Sequence, residues 1–327
     1  MSREQRLALS LIIAFVGFLS VTQWGSRGTM NTLTEFLYLL ALAQLWNLLA
    51  GYAGLVSVGQ QAWIGLGAYA LLVTTDDLGL PIAAGILMGG IVSAVFAYPT
   101  ARLAFRLRGG YFAIGTWVVA EVIRLLISSS TEWLNGGVGR TLTINTRFSS
   151  ASERIMMIYI IAVLIAFATV ALSQYLLRSK TGLGLTAIRD NEAAAASLGI
   201  NTYGIKLMVF IACAFGTGVV GSLIAMNQLN IMPKAMFSIN WTSFMIFIVV
   251  IGGIGTMEGP IIGTVIFFLL REYMADFGEW SFIILGTIAV VMMLLAPQGV
   301  WGLIKGRFNW EIFPLRRRIS EQLLVEP

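Results

Sequence analysis

Long apolar runs separated by short polar turns dominate the chain. They cover roughly residues 7–24, 33–50, 54–75, 80–100, 111–130, 155–177, 207–231, 241–253, 259–273 and 281–304. At 1.5 Å per residue a helix needs about 20 residues to cross a hydrocarbon core of about 30 Å, so most of these runs predict membrane-spanning helices. The eighth and ninth are each too short. They read either as two crossings or as half-helices meeting inside the membrane, with the break near 252–260. The pattern therefore predicts an all-α polytopic helical bundle of about ten spans (eight to ten), organised as a single transmembrane domain over residues 1–327. The first run follows a basic start, Met1–Arg6, and lacks a small-x-small cleavage signal, so it is expected to be retained as a span.

The longest polar interlude between apolar runs is Thr181–Lys206, TGLGLTAIRDNEAAAASLGINTYGIK. Asp190 or Asn191 can cap a helix there, and Glu192 falls in its first turn, where a negative charge suits the helix dipole. Ala193–Ala196 have strong helix propensity, and Gly199 stops the helix after about two turns. Side chains that end at a methyl group let another backbone approach closely. An Ala-rich connector between two spans is the plainer alternative.

Composition narrows the class. Hydrophobic residues make up 57% of the chain and charged residues 11%, where a soluble domain carries about 25% charged residues. There is no histidine, and Cys213 is the single cysteine, which excludes an intrachain disulfide, Cys/His zinc sites and histidine proton relays. The net charge of +5 is not a nucleic-acid footprint, because its distribution follows the spans. With ten crossings, one side collects Arg3, Arg6, Arg102, Arg106, Arg108, Arg178, Lys180, Arg189, Lys206, Lys305, Arg307 and Arg316–Arg318, fourteen of the 21 basic residues. The other side has Arg27, Arg140, Arg147, Arg154, Lys234 and Arg271. The positive-inside rule then places both termini and the 178–206 loop in the cytoplasm. Asp76, Asp77, Glu272, Asp276 and Glu279 fall outside. So does the loop Thr131–Arg154, which is either a contact for an extracytoplasmic partner or an idle connection. The basic tail after Trp301 is expected to lie on anionic membrane lipid.

Three polar features lie at membrane depth. Ser57, Gln60 and Gln61 interrupt one apolar run. Gly252, Gly253, Gly255 and Thr256, followed by Glu258, interrupt another. Paired interruptions of this kind in two halves of a chain point to pseudo-repeated halves and a transport path, although Gly and Ser also serve close helix packing. Glu121 and Arg124, spaced i,i+3, form a candidate intramembrane ion pair, either structural or able to hold a zwitterionic solute. No catalytic constellation is present, and no G-x-x-x-x-G-K-[ST] phosphate loop, so ATP-driven transport would need a separate ATPase chain.

Taken together, WNLLAGYAGLVSVGQQAWIGLGAYA, RLRGGYFAIGTWVVAEVIRLL, GLGLTAIRDNEAAAASLGINTYGIKLMVF and VVIGGIGTMEGPIIG resemble the inner-membrane permease subunits of bacterial ABC importers for branched-chain amino acids, the M-type subunit most closely. The resemblance runs from about Leu33 to Trp301. It implies a bacterial inner-membrane location and coupling to an ATPase through Arg189, Asp190, Glu192, Ala193, Ala194 and Gly199, with four residues rather than the more usual three between EAA and the glycine. It also implies a second homologous permease, a periplasmic solute-binding protein and two ATPase subunits that would hold ATP and Mg, with no cofactor in this chain. The solute would be a branched-chain or other amino acid, urea or a short amide. The alternative reading is an ion-gradient-driven secondary transporter using Glu121 or Glu258. A membrane-embedded enzyme is a third, for which no catalytic cluster exists.

Overall fold

The computed structural model describes residues 3–143, 148, 150–274, 277–278, 280–308 and 313. Arg147, Asp276, Glu279 and Arg316–Arg318 lie outside the described residues, as does most of the basic tail expected on the membrane surface.

The apolar runs fold as helices α1 (Arg3–Trp24), α2 (Arg27–Asn47), α3 (Gln61–Leu72), α4 (Ile82–Ala104), α5 (Gly110–Ser129), α7 (Ala151–Arg178), α10 (Thr202–Gln228), α12 (Ile239–Gly252), α13 (Gly259–Tyr273) and α14 (Trp280–Leu295). Short elements connect them: α6 (Thr131–Leu134), α8 (Lys180–Asp190), α9 (Glu192–Ser197), α11 (Pro233–Met236) and α15 (Gly299–Phe308). Two-residue strands β1 (Arg140–Thr141) and β2 (Asn230–Ile231) pair antiparallel and tie the 131–154 loop to the end of α10. Among the described residues, seven segments are long and apolar enough to cross a membrane: 27–52, 82–104, 110–129, 151–178, 202–228, 233–252 and 283–307. α13, at 15 residues, is shorter than a crossing helix needs.

The centre of the bundle is α2. Every residue from Leu37 to Asn47 is buried, and the helix touches α7, α10, α12 and α13. A helix that is apolar all round belongs inside other helices rather than on their surface. A second seam joins α10 to α3 and α4, where backbones meet without intervening side chains. A Cβ placed on Gly67 would stand 2.0 Å from the Gly218 carbonyl oxygen. Ser222 Oγ donates to the Gly67 carbonyl at 3.0 Å, and Ser93 Oγ donates to the Trp63 carbonyl at 3.1 Å. Small residues thus allow the approach and hydroxyls bond across it.

The expected span 54–75 is corrected at its start. Residues 54–60 are not helical, and the helix begins at Gln61 and continues as a π turn to Asp77. Gly54 at φ +69° takes the chain out of helical geometry, and the Trp46 indole N–H satisfies the Ser57 carbonyl at 2.9 Å. The expected span 207–231 ends earlier, at Gln228, because residues 230–231 pair as a strand.

Candidate coupling and translocation site

The interlude between α7 and α10 is two helices, not one. Ser179 Oγ accepts from the Gly182 N–H at 3.4 Å and starts α8, which buries Gly182, Gly184, Leu185 and Ile188 against the bundle. The cap and the Leu185/Ile188 spacing carry this helix despite Gly182 and Gly184. α8 ends at Asp190, and of the two expected caps it is Asn191 that opens α9, its Oδ1 accepting from the Ala194 N–H at 3.0 Å. Glu192 in the first turn bonds Lys206 Nζ at 2.6 Å, which fastens α9 to the first turns of α10. Gly199 adopts φ +80°, with its N–H on the Ala196 carbonyl (3.0 Å) and the Ile200 N–H on the Ala195 carbonyl (3.1 Å). This is the Schellman arrangement that ends a helix with a left-handed residue.

Along α9 only Ala195 is buried, while Ala193, Ala194 and Ala196 are exposed. Leu198, overlooked in the sequence, extends this small-residue face with an apolar side chain that is 81% exposed. An apolar residue between a short Ala run and its terminating glycine was the available signal.

Arg189 points the other way. Its Nε donates to Asp190 Oδ1 at 3.3 Å, and its Nη1 lies 3.5 Å from the carbonyl oxygen of Gly51. Gly51 belongs to a π turn, Leu48–Tyr52, at the end of α2. A Cβ on Gly51 would stand 2.5 Å from the backbone nitrogen of Gly255, so the π turn that leads into the first break touches the second break here. Asn47 stitches them together: its Oδ1 accepts from the Gly255 N–H at 2.8 Å and its Nδ2 donates to the Thr256 carbonyl at 2.7 Å. One turn earlier, Gln44 Nε2 bonds Met257 Sδ at 3.0 Å. Inside the break, Thr256 Oγ1 donates to the Gly253 carbonyl (2.7 Å) and accepts from the Gly259 N–H (3.1 Å). Gly253 and Gly255 take φ +128° and +74°, which L side chains rarely adopt. Glu258 is buried, and its Oε1 accepts from the Phe313 N–H at 2.8 Å.

The first break is bonded at most of its polar groups, Gln60 Nε2 being buried without a hydrogen-bond partner. Gln61 pairs with Thr242 of α12 through its side-chain oxygen, and the Val58 N–H bonds Thr116 Oγ1 of α5 at 3.1 Å. Ser57, Gln60 and Gln61 are all buried, as are Gly252 and Gly253. Thus Ser57, Gln60, Gln61, Gly252 and Gly253 are turned into the protein, while Gly54 and Val56 line a cavity of about 610 Å³ together with Leu107–Gly110, Glu192 and Lys206. The structure brings Arg189, Gly51, Asn47, Gly255 and Thr256 together, Arg189 on Gly51, Asn47 bonded to Gly255 and Thr256, and Gly51 against Gly255 by close backbone contact. It does not bring Glu121 and Arg124 there. These two pair on α5, Arg124 Nε donating to Glu121 Oε2 at 2.9 Å and Nη2 to Oε1. On another surface Arg140 bonds both oxygens of Asp77 (3.0 and 2.6 Å), and these hydrogen bonds hold the Arg140 guanidinium above its usual pKa.

Residues 28–297 match the family described as branched-chain amino acid transport system / permease component. The chain is 29% identical over 299 residues to the high-affinity branched-chain amino acid transport system permease protein LivM of Salmonella typhimurium, covering 84% of this chain and 70% of that one. It is 25% identical over 268 residues to the permease protein BraD of Pseudomonas aeruginosa, covering 78% and 83%. It is 23% identical over 276 residues to the permease protein LivH of Escherichia coli, covering 79% and 89%. These relatives are transport permease components and not enzymes. No solved structure matches the chain.

Proposed function

Because the chain belongs to the branched-chain amino acid transport permease family, we propose that it is the membrane-spanning permease subunit of an ABC importer for branched-chain or related amino acids, with urea and short amides as further candidates. It forms the translocation path with a second, homologous permease. Two separate ATPase subunits hold ATP and Mg, and a periplasmic binding protein delivers the solute. The helices make ten crossings in two pseudo-repeated halves, with α3 and α13 completed by the non-helical segments beside them. Both termini and residues 178–206 lie in the cytoplasm, as the basic residues require.

One observation carries this reading. The α8–α9 connection offers a small-residue surface outward and reaches inward, through Arg189, to the π turn at the end of α2, where it meets the second break. A pull on α9 therefore acts on the irregular backbone that lies closest to the path, and alternating access follows as a rocking of the two halves about that junction. Arg189, Asp190, Glu192, Ala193, Ala194 and Gly199 form the coupling element. Ser57, Gln60, Gln61, Gly252, Gly253, Gly255 and Thr256 form the scaffold of the path. An ion-gradient transporter would need a deep carboxylate available to bind and release the ion. Glu121 is held by Arg124, and Glu258 accepts from Phe313.

The test is reconstitution in liposomes with the partner chains. Leucine accumulation is expected only with ATP and the ATPases present. Accumulation by this chain alone under a proton or sodium gradient would refute the proposal.

A further inference from the structure

The helix α5 is placed oddly for its chemistry. Phe112, Thr116, Ala120 and Ile123, spaced three or four residues apart, face the bundle and are buried. The opposite stripe of Tyr111, Ile114, Val118 and Leu125 is exposed. Glu121 and Arg124 belong to the exposed side, with 42% and 27% of their side-chain surfaces uncovered. α5 runs from Gly110 to Ser129, so at 1.5 Å per residue Glu121 lies only about 2 Å, and Arg124 about 7 Å, from the middle of the helix. An ion pair at that depth is costly against hydrocarbon, and intramembrane charges almost always face a bundle interior or a water-filled cavity. Among the described residues none covers this face completely, and hydrocarbon is a costly cover for an ion pair at that depth.

The same helix leads to open space. Ala113, Trp117 and Glu121 follow at i, i+4 and i+8, one above another, with Arg124 beside them. Ala113 also lines the cavity of about 610 Å³ that opens between the first break and the Glu192–Lys206 pair. Cavity and ion pair are therefore about 12 Å apart along one stripe of one helix.

Resting on the function proposed above, we infer that this stripe of α5 walls the water-filled path, with the second permease as the opposite wall, and that Glu121 and Arg124 are its contact for the zwitterionic head of an amino acid. The chemistry is an exchange without net charge. The solute carboxylate replaces Glu121 on the Arg124 fork, and the solute ammonium takes the released Glu121 carboxylate. One Arg–carboxylate bond is traded for another. The contact is consequently weak, as a conduction site must be if the solute is to leave it. The side chain of the amino acid takes no part, which leaves side-chain selection to other contacts.

The experiment has two arms, both on the assembled transporter in its membrane and in a Cys213→Ser background. In the first, Val118→Cys and Leu125→Cys are exposed to a small charged methanethiosulfonate, with Leu172→Cys on the exposed side of α7 as the control. The α5 positions are expected to react and the control to stay silent. Silence at both α5 positions means a dry or lipid-covered face and overturns the inference. In the second arm the pair is reversed, Glu121→Arg with Arg124→Glu. This keeps an i,i+3 ion pair and preserves a purely structural role, but it inverts the order in which carboxylate and ammonium are met. ATP-dependent L-leucine uptake is expected to fall about tenfold or more, the loss of one or two charge-assisted bonds, with membrane abundance unchanged. Parental uptake by the reversed pair overturns the inference while leaving the permease reading intact. A parent transporter that moves no amino acid under ATP sinks the permease reading and, with it, the solute role of the pair.

Discussion

Replacing Asn47 by leucine tests the junction on which the coupling argument rests. Asn47 is fully buried, and leucine has the same branched side-chain skeleton but more bulk, so the substitution leaves no cavity and adds some overpacking. What it removes is specific: the acceptor for the Gly255 N–H at 2.8 Å and the donor to the Thr256 carbonyl at 2.7 Å. Both orphaned groups are main chain in a segment with no helical partner to return to. A buried polar group left without a partner costs about 1–3 kcal/mol, giving about 2–6 kcal/mol for the pair. Hydrogen bonds between membrane helices average only about 0.6 kcal/mol in measured cycles, because partners can be found elsewhere. Gly51 and Gly255 nearly touch, which limits substitute protein partners, but both bonds are only part-buried and water reaches them, so the lower end of the range of about 2–6 kcal/mol applies. The assay is unfolding in mixed micelles titrated with sodium dodecyl sulfate, followed by helical signal, with Asn47→Asp as a variant that retains the acceptor for Gly255. Asn47→Leu should lose at least about 2 kcal/mol. Unfolding within about 0.5 kcal/mol of the parent, the range of an ordinary surface substitution, would refute the reasoning.

Further outcomes follow from other parts of the molecule. Ala194→Asp puts an unpaired charge on the exposed face of α9, and Gly199→Val opposes a φ of +80°; both variants should reach the membrane yet fail to co-purify with the ATPase, or bind it without solute-stimulated hydrolysis. If both assemble and turn over ATP like the parent, α9 is only a connector. Ser197→Cys in the Cys213→Ser background should resist an impermeant thiol reagent added outside intact cells, and labelling there would reverse the orientation. Gly67→Ala drives a methyl to 2.0 Å from the Gly218 carbonyl and should cost about 1–3 kcal/mol of stability as the α3–α10 seam opens; a stability equal to the parent's would show that the seam can yield.

The sequence by itself determined what depends on near neighbours. Apolar runs of membrane length required helices, because a backbone in hydrocarbon must satisfy its own hydrogen bonds. Gly199 was legible as a helix stop because a left-handed residue ends a helix whatever surrounds it, and the Glu121–Arg124 pair was legible because i,i+3 spacing brings the two together on any helix. Even the break at 252–260 could be read from Gly252, Gly253 and Gly255. Only the tertiary structure decided how these pieces meet. Arg189 stood in the sequence among ATPase-facing residues, yet it turns to Gly51, 138 positions away. Asn47 was one polar residue in an apolar run, and its partner Gly255 lies 208 positions on. Ser57, Gln60 and Gln61 were legible as polar residues at depth, but whether they faced a path or the protein was set by Trp46, Thr242 and α5 closing over them. Periodicity and capping act within a few residues. The face of a helix that is buried, and by what, is fixed when distant segments pack, and no local pattern encodes that choice.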